Sequence, residues 1–317
     1  MTVPGLKVLF MGTPQFAVPT LDAILASRHT VVGVVTQPDR PRGRGQKETH
    51  APVKARAREH QLPVLQPVTL RDPATIDELR ALGADIGVVA AFGKILSQTV
   101  LDIPRLGMIN VHASLLPRWR GAAPVHRSVI AGDAVTGVTI MRVVRALDAG
   151  GMMARVERPI GPDDTSDEVE RDLASLGAAL LVQTLDRLAV GPVDEEPQDE
   201  ALVTYAARLS KEDGAIDWSR PAGEIHNQVR GLHPWPHAFT YVDGQRLILW
   251  RTRWVAADPG AAPGTIVLAH GDDLHVATGA GTLQLTELQA EGRRATHTRE
   301  FLAGRKLAAG QRFAPAP

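Results

Sequence analysis

Short, wholly apolar runs alternate with amphipathic stretches through the first half of the chain. The two periods call in turn for strands and helices. Val8-Leu9-Phe10-Met11 stops at Gly12-Thr13-Pro14, and Val31-Val32-Gly33-Val34-Val35 stops before Gln37-Pro38. Ile86 to Ala91 and Met108 to His112 are runs of the same kind, and Val64-Leu65 is a shorter one after Pro63. Strands apolar on both faces belong in a parallel sheet covered on both sides. Leu21 to Ala26, Ala51 to His60 and Ile76 to Leu82 read as the intervening helices. This alternation implies an α/β fold with right-handed crossovers. Thr136 to Val144 continues the sheet, and Met152 to Ile160 is expected to pair with it as a hairpin. Asp164-Thr165-Ser166 then precedes an amphipathic helix that ends at Leu188, with Thr165 or Ser166 as its cap.

The pattern changes near residue 190. Gly191 to Glu200 is polar and carries two prolines, as linkers do. Beyond residue 208 come short β-like pieces separated by glycine-bearing turns: Phe239–Val242, Leu247–Trp250, Gly264–Val267, His275–Thr278 and Thr282–Leu285. Such a series suggests a small OB-like β-barrel. The expected organisation is therefore a Rossmann-like parallel-sheet domain over 1–190, a linker over 191–207 and the barrel domain over 208–317. The Ala-Pro ending reads as a frayed tail.

Composition narrows the class. A chain of 317 residues with 44% hydrophobic content can build two cores. Its 35 cations balance 35 anions, so any nucleic-acid contact must come from a local patch. With no cysteine, disulfides, thiolate metal sites and a thiol nucleophile are excluded. The N-terminal apolar run is too short for a signal core and reads better as a first strand. No apolar stretch is expected to reach the roughly 18–20 residues that span a bilayer. A soluble, cytoplasmic protein is expected.

Asn110 and His112 stand two apart at the end of an expected parallel strand, so they share a face. Ligands of open α/β sheets collect at the carboxyl ends of strands. Ser114-Leu115-Leu116-Pro117 is the loop leaving that rim. Asp148 lies 36 residues beyond His112, in Leu147-Asp148-Ala149-Gly150-Gly151, which follows the next strand and can reach the same rim. By spacing alone these residues define only a rim site. Polar residues at strand ends are commonly caps, and Asp before glycine commonly forms turns.

The strings themselves carry more. Asn110 to Gly121 reads NVHASLLPRWRG. GTPQF at Gly12–Phe16, QPDRPRGRG at Gln37–Gly45, GAAPVHR at Gly121–Arg127, AGDAVTGVTIM at Ala131–Met141 and LDAG at Leu147–Gly150 accompany it. QDEALVTYAARLSKEDGAIDW at Gln198–Trp218 and HPWPHAF at His233–Phe239 follow in order. Together they make the chain similar, over nearly its whole length, to the methionyl-tRNA formyltransferase family. The Asn-x-His plus Asp core alone is shared with other enzymes that use 10-formyltetrahydrofolate, such as glycinamide ribonucleotide transformylase; the later strings narrow the resemblance.

The resemblance implies a formyl donor, 10-formyltetrahydrofolate, and an acceptor amine on initiator methionyl-tRNA. It implies catalytic positions at Asn110, His112 and Asp148, with Ser114, Leu115, Leu116 and Pro117 along the folate site. The loop with Phe92, Gly93 and Ile95 would help enclose the pterin. A monomer without metal or membrane attachment fits the family. Three residues depart from its pattern: Ala113 where glycine is common, Gly151 where an acidic residue or proline is usual, and Ser97 where proline is expected.

Two basic segments bear on tRNA. Asp39 to Lys47 is a Pro/Gly-rich loop carrying Arg42, Arg44 and Lys47, which reads either as a solvated loop or as an arm ordered by RNA phosphates. The resemblance favours the arm. Arg293 to Arg312 holds six cations against the single anion Glu300. His233, Trp235 and His237 read as packing residues more readily than as base-stacking ones, and no carboxylate cluster makes them metal ligands.

Other functions fit less well. Gly12-Thr13-Pro14-Gln15-Phe16 is not GxGxxG, which argues against a nicotinamide dehydrogenase. A formyltransferase acting on a nucleotide-sugar amine, or a non-catalytic RNA-binding protein, remain the alternatives.

Overall fold

The computed structural model describes residues 4–39, 41–42, 47–48 and 50–314. The first strands are β1 (Lys7–Gly12) and β2 (Thr30–Val35), with helix α1 (Val18–Leu25) between them. A two-residue ladder follows, β3 (Pro41–Arg42) with β4 (Lys47–Glu48), then α2 (Pro52–Glu59) and β5 (Val64–Leu65). Next come α3 (Pro73–Ala81), β6 (Ile86–Ala90), α4 (Gln98–Leu101) and β7 (Met108–His112). Asp72 caps α3 by accepting from Ala74 N at 3.3 Å, and Pro73 occupies the first turn, where its missing N–H costs nothing.

Strands β1, β2, β5, β6 and β7 pair in parallel in the order β7-β6-β1-β2-β5. Chain order therefore reverses between β1 and β6, the kind of point at which open α/β sheets bind ligands. Val8, Leu9, Phe10, Met11, Val34, Val35, Ile86 and Val88 are buried, as strands covered on both faces require.

The sheet continues past β7 as expected, but with a change of strand direction at that edge. After β8 (Arg120–Gly121) and α5 (Pro124–Ala131), strand β9 (Val135–Arg142) runs antiparallel to β7, and β10 (Met152–Pro159) lies beside it. The sheet is thus mixed. An apolar run reports burial, not direction, so periodicity could not distinguish the two.

Helix α6 (Ser166–Val190) begins with a capping box. Glu168 Oε2 accepts from Thr165 N at 2.8 Å, and Thr165 Oγ1 in return accepts from Glu168 N at 3.4 Å. Against the sequence expectation, α6 is long and apolar enough to cross a membrane by length and composition. Its charges had disguised this. Its buried residues Leu173, Ala174, Leu181, Leu185 and Leu188 fall at helical spacing, as in a helix packed on a core. Gly177 lets it approach the sheet, since a Cβ there would lie 2.8 Å from Val111.

By contact, the chain forms two compact units: residues 1–124, 136–158 and 170–206, and residues 125–135, 159–169 and 207–317. Strand β11 (Tyr205–Ala206) pairs with β8 in the first. The second contains α7 (Ala222–Gly231), β12 (Ala238–Val242), β13 (Gln245–Val255), β14 (Ile266–His270), β15 (Asp273–Ala277), β16 (Thr282–Ala290), β17 (Thr296–His297) and α8 (Thr298–Gly304). Its strands run β12-β13-β16-β15-β14, antiparallel throughout.

Of the Ala-Pro ending only Ala314 is among the described residues, and residues 315–317 lie outside them. Ala314 N donates to Tyr241 O at 2.8 Å on one edge strand, and Ile266 N on the other donates to Gln311 O at 2.8 Å. Residues 311–314 so join both edges, and the sheet closes as a small barrel.

Candidate active site

Strand β7 carries Asn110 and His112 to the rim of the parallel sheet, opposite Met141 and Thr139 of β9. His112 is 5% exposed. Its Nε2 lies 2.9 Å from the carbonyl oxygen of Trp119. A carbonyl only accepts, so Nε2 carries the proton and Nδ1 is the free nitrogen. Nδ1 faces Asp148 Oδ2 at 3.8 Å.

Asp148 has a left-handed backbone, φ 45°, unusual for a side-chain-bearing residue. Gly121 N donates to its Oδ2 at 2.9 Å. Gln198 Nε2 donates to its carbonyl at 2.8 Å and to Gly150 O at 2.9 Å. At the departure Gly151, a Cβ would lie 2.7 Å from Glu195, which pairs with Arg142 at 2.7 Å. The absence of a side chain there lets Glu195 sit against the loop. Ala113 is buried and lies outside the left-handed region, so its methyl is accommodated.

Ser114 is fully buried and donates to Arg118 O at 2.6 Å. Thr139 Oγ1 donates to Ser114 O at 2.8 Å and accepts from Leu116 N at 3.2 Å. Leu116, 2% exposed, packs with Met141 and Met152. Ser114 and Leu116 are thus floor rather than contact surface, whereas Leu115 and Pro117 are part-exposed. Across the rim, Gln37 Nε2 donates to Phe92 O at 2.8 Å and Gly93 turns with φ 74°. Phe92 is buried, while Ile95 is 89% exposed. Lys94 donates to the carbonyls of Pro67 and Val68 at 2.9 and 3.0 Å, which ties down this loop.

Sequence reasoning missed Thr139, Trp119, Gln198 and Thr204. Trp119 N donates to Thr204 Oγ1 at 2.9 Å and Arg120 N to Thr204 O at 2.9 Å. Gln198 and Thr204 were visible in QDEALVTYA, but proline and charge just before them read as a spacer.

Of the cationic loop, Arg42 and Lys47 are backbone register partners in the β3–β4 ladder. Arg44 lies outside the described residues. At the base of the loop Asp39 pairs with Lys54 and His50. The hydrogen bond from Lys54 holds its carboxyl down at about 2.

Near the C-terminus, Arg299 pairs with Asp272, Arg294 with Glu300, and Arg305 with Asp243. Aspartates distant in sequence therefore offset part of the cationic excess there. His233 and His237 pack on Trp250, with ring centroids 5.4 and 4.4 Å away. Among the described residues no three His, Asp or Glu side chains gather as a metal ion would need.

The first unit thus presents a rim of donors and a carboxylate at the open end of a mixed α/β sheet, and the second unit is built on a small barrel. Residues 6–185 match the formyl transferase family model, and residues 208–306 match that of the formyl transferase C-terminal domain. The methionyl-tRNA formyltransferase of Geobacter sulfurreducens is 48% identical over 98% of this chain and 98% of its own. That of Symbiobacterium thermophilum is 48% identical over 98% and 96%. The chain belongs to the methionyl-tRNA formyltransferase family.

Solved structures share the fold at lower identity. An N-formyltransferase from Helicobacter canadensis, in complex with folinic acid and dTDP-3-aminofucose, superposes with TM-score 0.68 at 18% identity, over 90% of this chain and 99% of that one. A glycinamide ribonucleotide transformylase from Symbiobacterium toebii matches 62% of this chain and 95% of its own, with TM-score 0.52 at 19% identity.

Proposed function

We propose that this enzyme moves the formyl group of 10-formyltetrahydrofolate to the amino group of methionine on initiator tRNA, and that Asn110, His112 and Asp148 carry the chemistry. The supporting observation is the arrangement of His112 between Trp119 O and Asp148 at the end of β7, beside Asn110. The acceptor amine attacks the formyl carbon, and negative charge builds on the formyl oxygen. The bond from that carbon to the folate nitrogen then breaks. One proton must leave the amine and one must reach the departing nitrogen.

Asn110 suits the oxyanion through its side-chain NH₂, and such a donor contributes about 2.7–4 kcal/mol. The Nε2 proton of His112 is engaged by Trp119 O, so the ring donates from Nδ1 only as an imidazolium, whose charge then faces the Asp148 carboxylate. Asp148 thereby both orients and offsets His112.

Leu115, Pro117, Gly93 and Ile95 are the proposed folate contacts, over a floor of Ser114, Leu116 and Phe92. Arg42, Arg44 and Lys47 are the proposed tRNA contacts. The working division is 1–190 for catalysis, 191–207 as connection and 208–317 for tRNA, in a cytoplasmic monomer. The deciding experiment is formyl transfer from 10-formyltetrahydrofolate to charged initiator tRNA, set against an aminated nucleotide sugar. Formylmethionyl-tRNA as the favoured product is expected; preference for the sugar would overturn the substrate assignment.

A further inference from the structure

Gln198 sits in a segment whose composition marks it as a connector, yet every polar function of its side chain is used at the candidate active site. Its two Nε2 protons go to the carbonyls of Asp148 and Gly150, at 2.8 and 2.9 Å. Its Oε1 accepts from Arg120 Nε at 2.9 Å. Arg120 is itself 3% exposed, and its Nη2 donates to Glu200 Oε1 at 2.8 Å. Asp148 holds φ 45°, a conformation that persists only where surrounding bonds over-determine it. Gly121 N fixes the carboxylate, and Gln198 fixes the backbone on which it stands. The partners that orient Trp119 come separately, from Thr204.

We infer that Gln198 is a positioning residue for Asp148: by bridging the Asp148 and Gly150 carbonyls to buried Arg120, it sets the distance between the Asp148 carboxylate and Nδ1 of His112. This rests on the catalytic roles proposed above. Gln198→Leu removes both functions. Gln198→Glu keeps an acceptor for Arg120 and removes the donors. Each is expected to lower kcat for tRNA formylation by about 10- to 100-fold, the cost of misplacing a reacting group by roughly an ångström. KM for the folate should change little.

A role confined to Asp148 makes the effects non-additive. In an Asp148→Asn background, Gln198→Leu should cost less than about 2-fold. Equal losses in both backgrounds, or wild-type kcat in Gln198→Glu, would overturn the inference. The ring ¹⁵N resonances of His112 give a readout that needs no turnover. In Gln198→Leu the Nδ1 signal should move while the Nε2 signal, held by Trp119 O, stays. Neither signal moving would sink the positioning role, and both collapsing to free-imidazole values would mark local unfolding and sink it also. A wild-type chain that formylates no tRNA would instead sink the functional reading, and the ¹⁵N comparison would still decide the role of Gln198.

Discussion

The Nε2 atom of His112 stands 2.9 Å from the carbonyl oxygen of Trp119, seven residues further along the chain. Because the partner is a backbone acceptor, no side-chain change at Trp119 can remove it. The tautomer of His112 is therefore built into the turn that follows Pro117, and Nδ1 is left facing Asp148.

This geometry makes the three rim residues separable by chemistry. Asn110→Ala, His112→Ala and Asp148→Asn should each reduce single-turnover formylation, by about 10²- to 10³-fold where an oxyanion donor is lost. All three should fold, since none is a large apolar core side chain. Circular dichroism melting together with rapid-quench formylation checks this. Near-normal turnover in all three would remove the catalytic assignment.

Much of this was legible in the chain. Runs such as Val8–Met11 and Ile86–Ala91 announced buried parallel strands because both faces are covered, and NVHASLLP marked the rim. What stayed hidden depended on non-local pairing. The antiparallel direction of β9 arises from its register with β7, His112 against Thr139, which no local pattern encodes. Helix α7 was missed because glycine, histidine and asparagine are weak helix formers, and only Ala222, Ile225 and Val229 show its period. Gln198 was missed because its partners lie 50 and 48 residues away.

The proposed folate surface can be dissected by burial. Ile95 is 89% exposed and Leu116 is 2% exposed. Ile95→Asp should raise KM for the folate donor while leaving the melting temperature near that of the parent. Leu116→Ala should do the reverse first, costing about 2–5 kcal/mol of stability by leaving a cavity beside Met141 and Met152. Denaturant titration and folate-dependent kinetics separate the two. Equal effects on KM and stability in both variants would contradict the division into floor and contact.

The cationic loop makes a prediction that turns on salt. If Arg42, Arg44 and Lys47 neutralise phosphates, affinity falls with ionic strength, and each contact removed makes that dependence shallower by about one unit of slope. Arg44→Ala should thus weaken tRNA use and flatten its salt dependence, without changing folate binding. Kinetics at several salt concentrations give the slope. An unchanged slope, or an equal loss toward folate, would return the loop to a solvated surface.

Acid should destabilise the second unit through His237. Burial, then the neighbouring His233 and Arg246, hold the His237 ring down to about 4, against an ordinary 6.5. The native ring stays neutral while the unfolded chain takes up a proton below pH 6.5. Stability is therefore whole above pH 6.5, falls as pH drops from 6.5 toward 4, and levels off below that. At pH 5 the loss should approach about 2 kcal/mol. His237→Asn is the informative variant, because His237 holds φ 64° and asparagine tolerates that left-handed backbone. The variant should melt with a smaller difference between pH 7 and pH 5 than the parent. The residual difference belongs partly to His233, which burial also holds below its ordinary value. Calorimetry at the two pH values reads the effect. An identical pH dependence in parent and variant would show that the ring does not stay neutral in the folded protein.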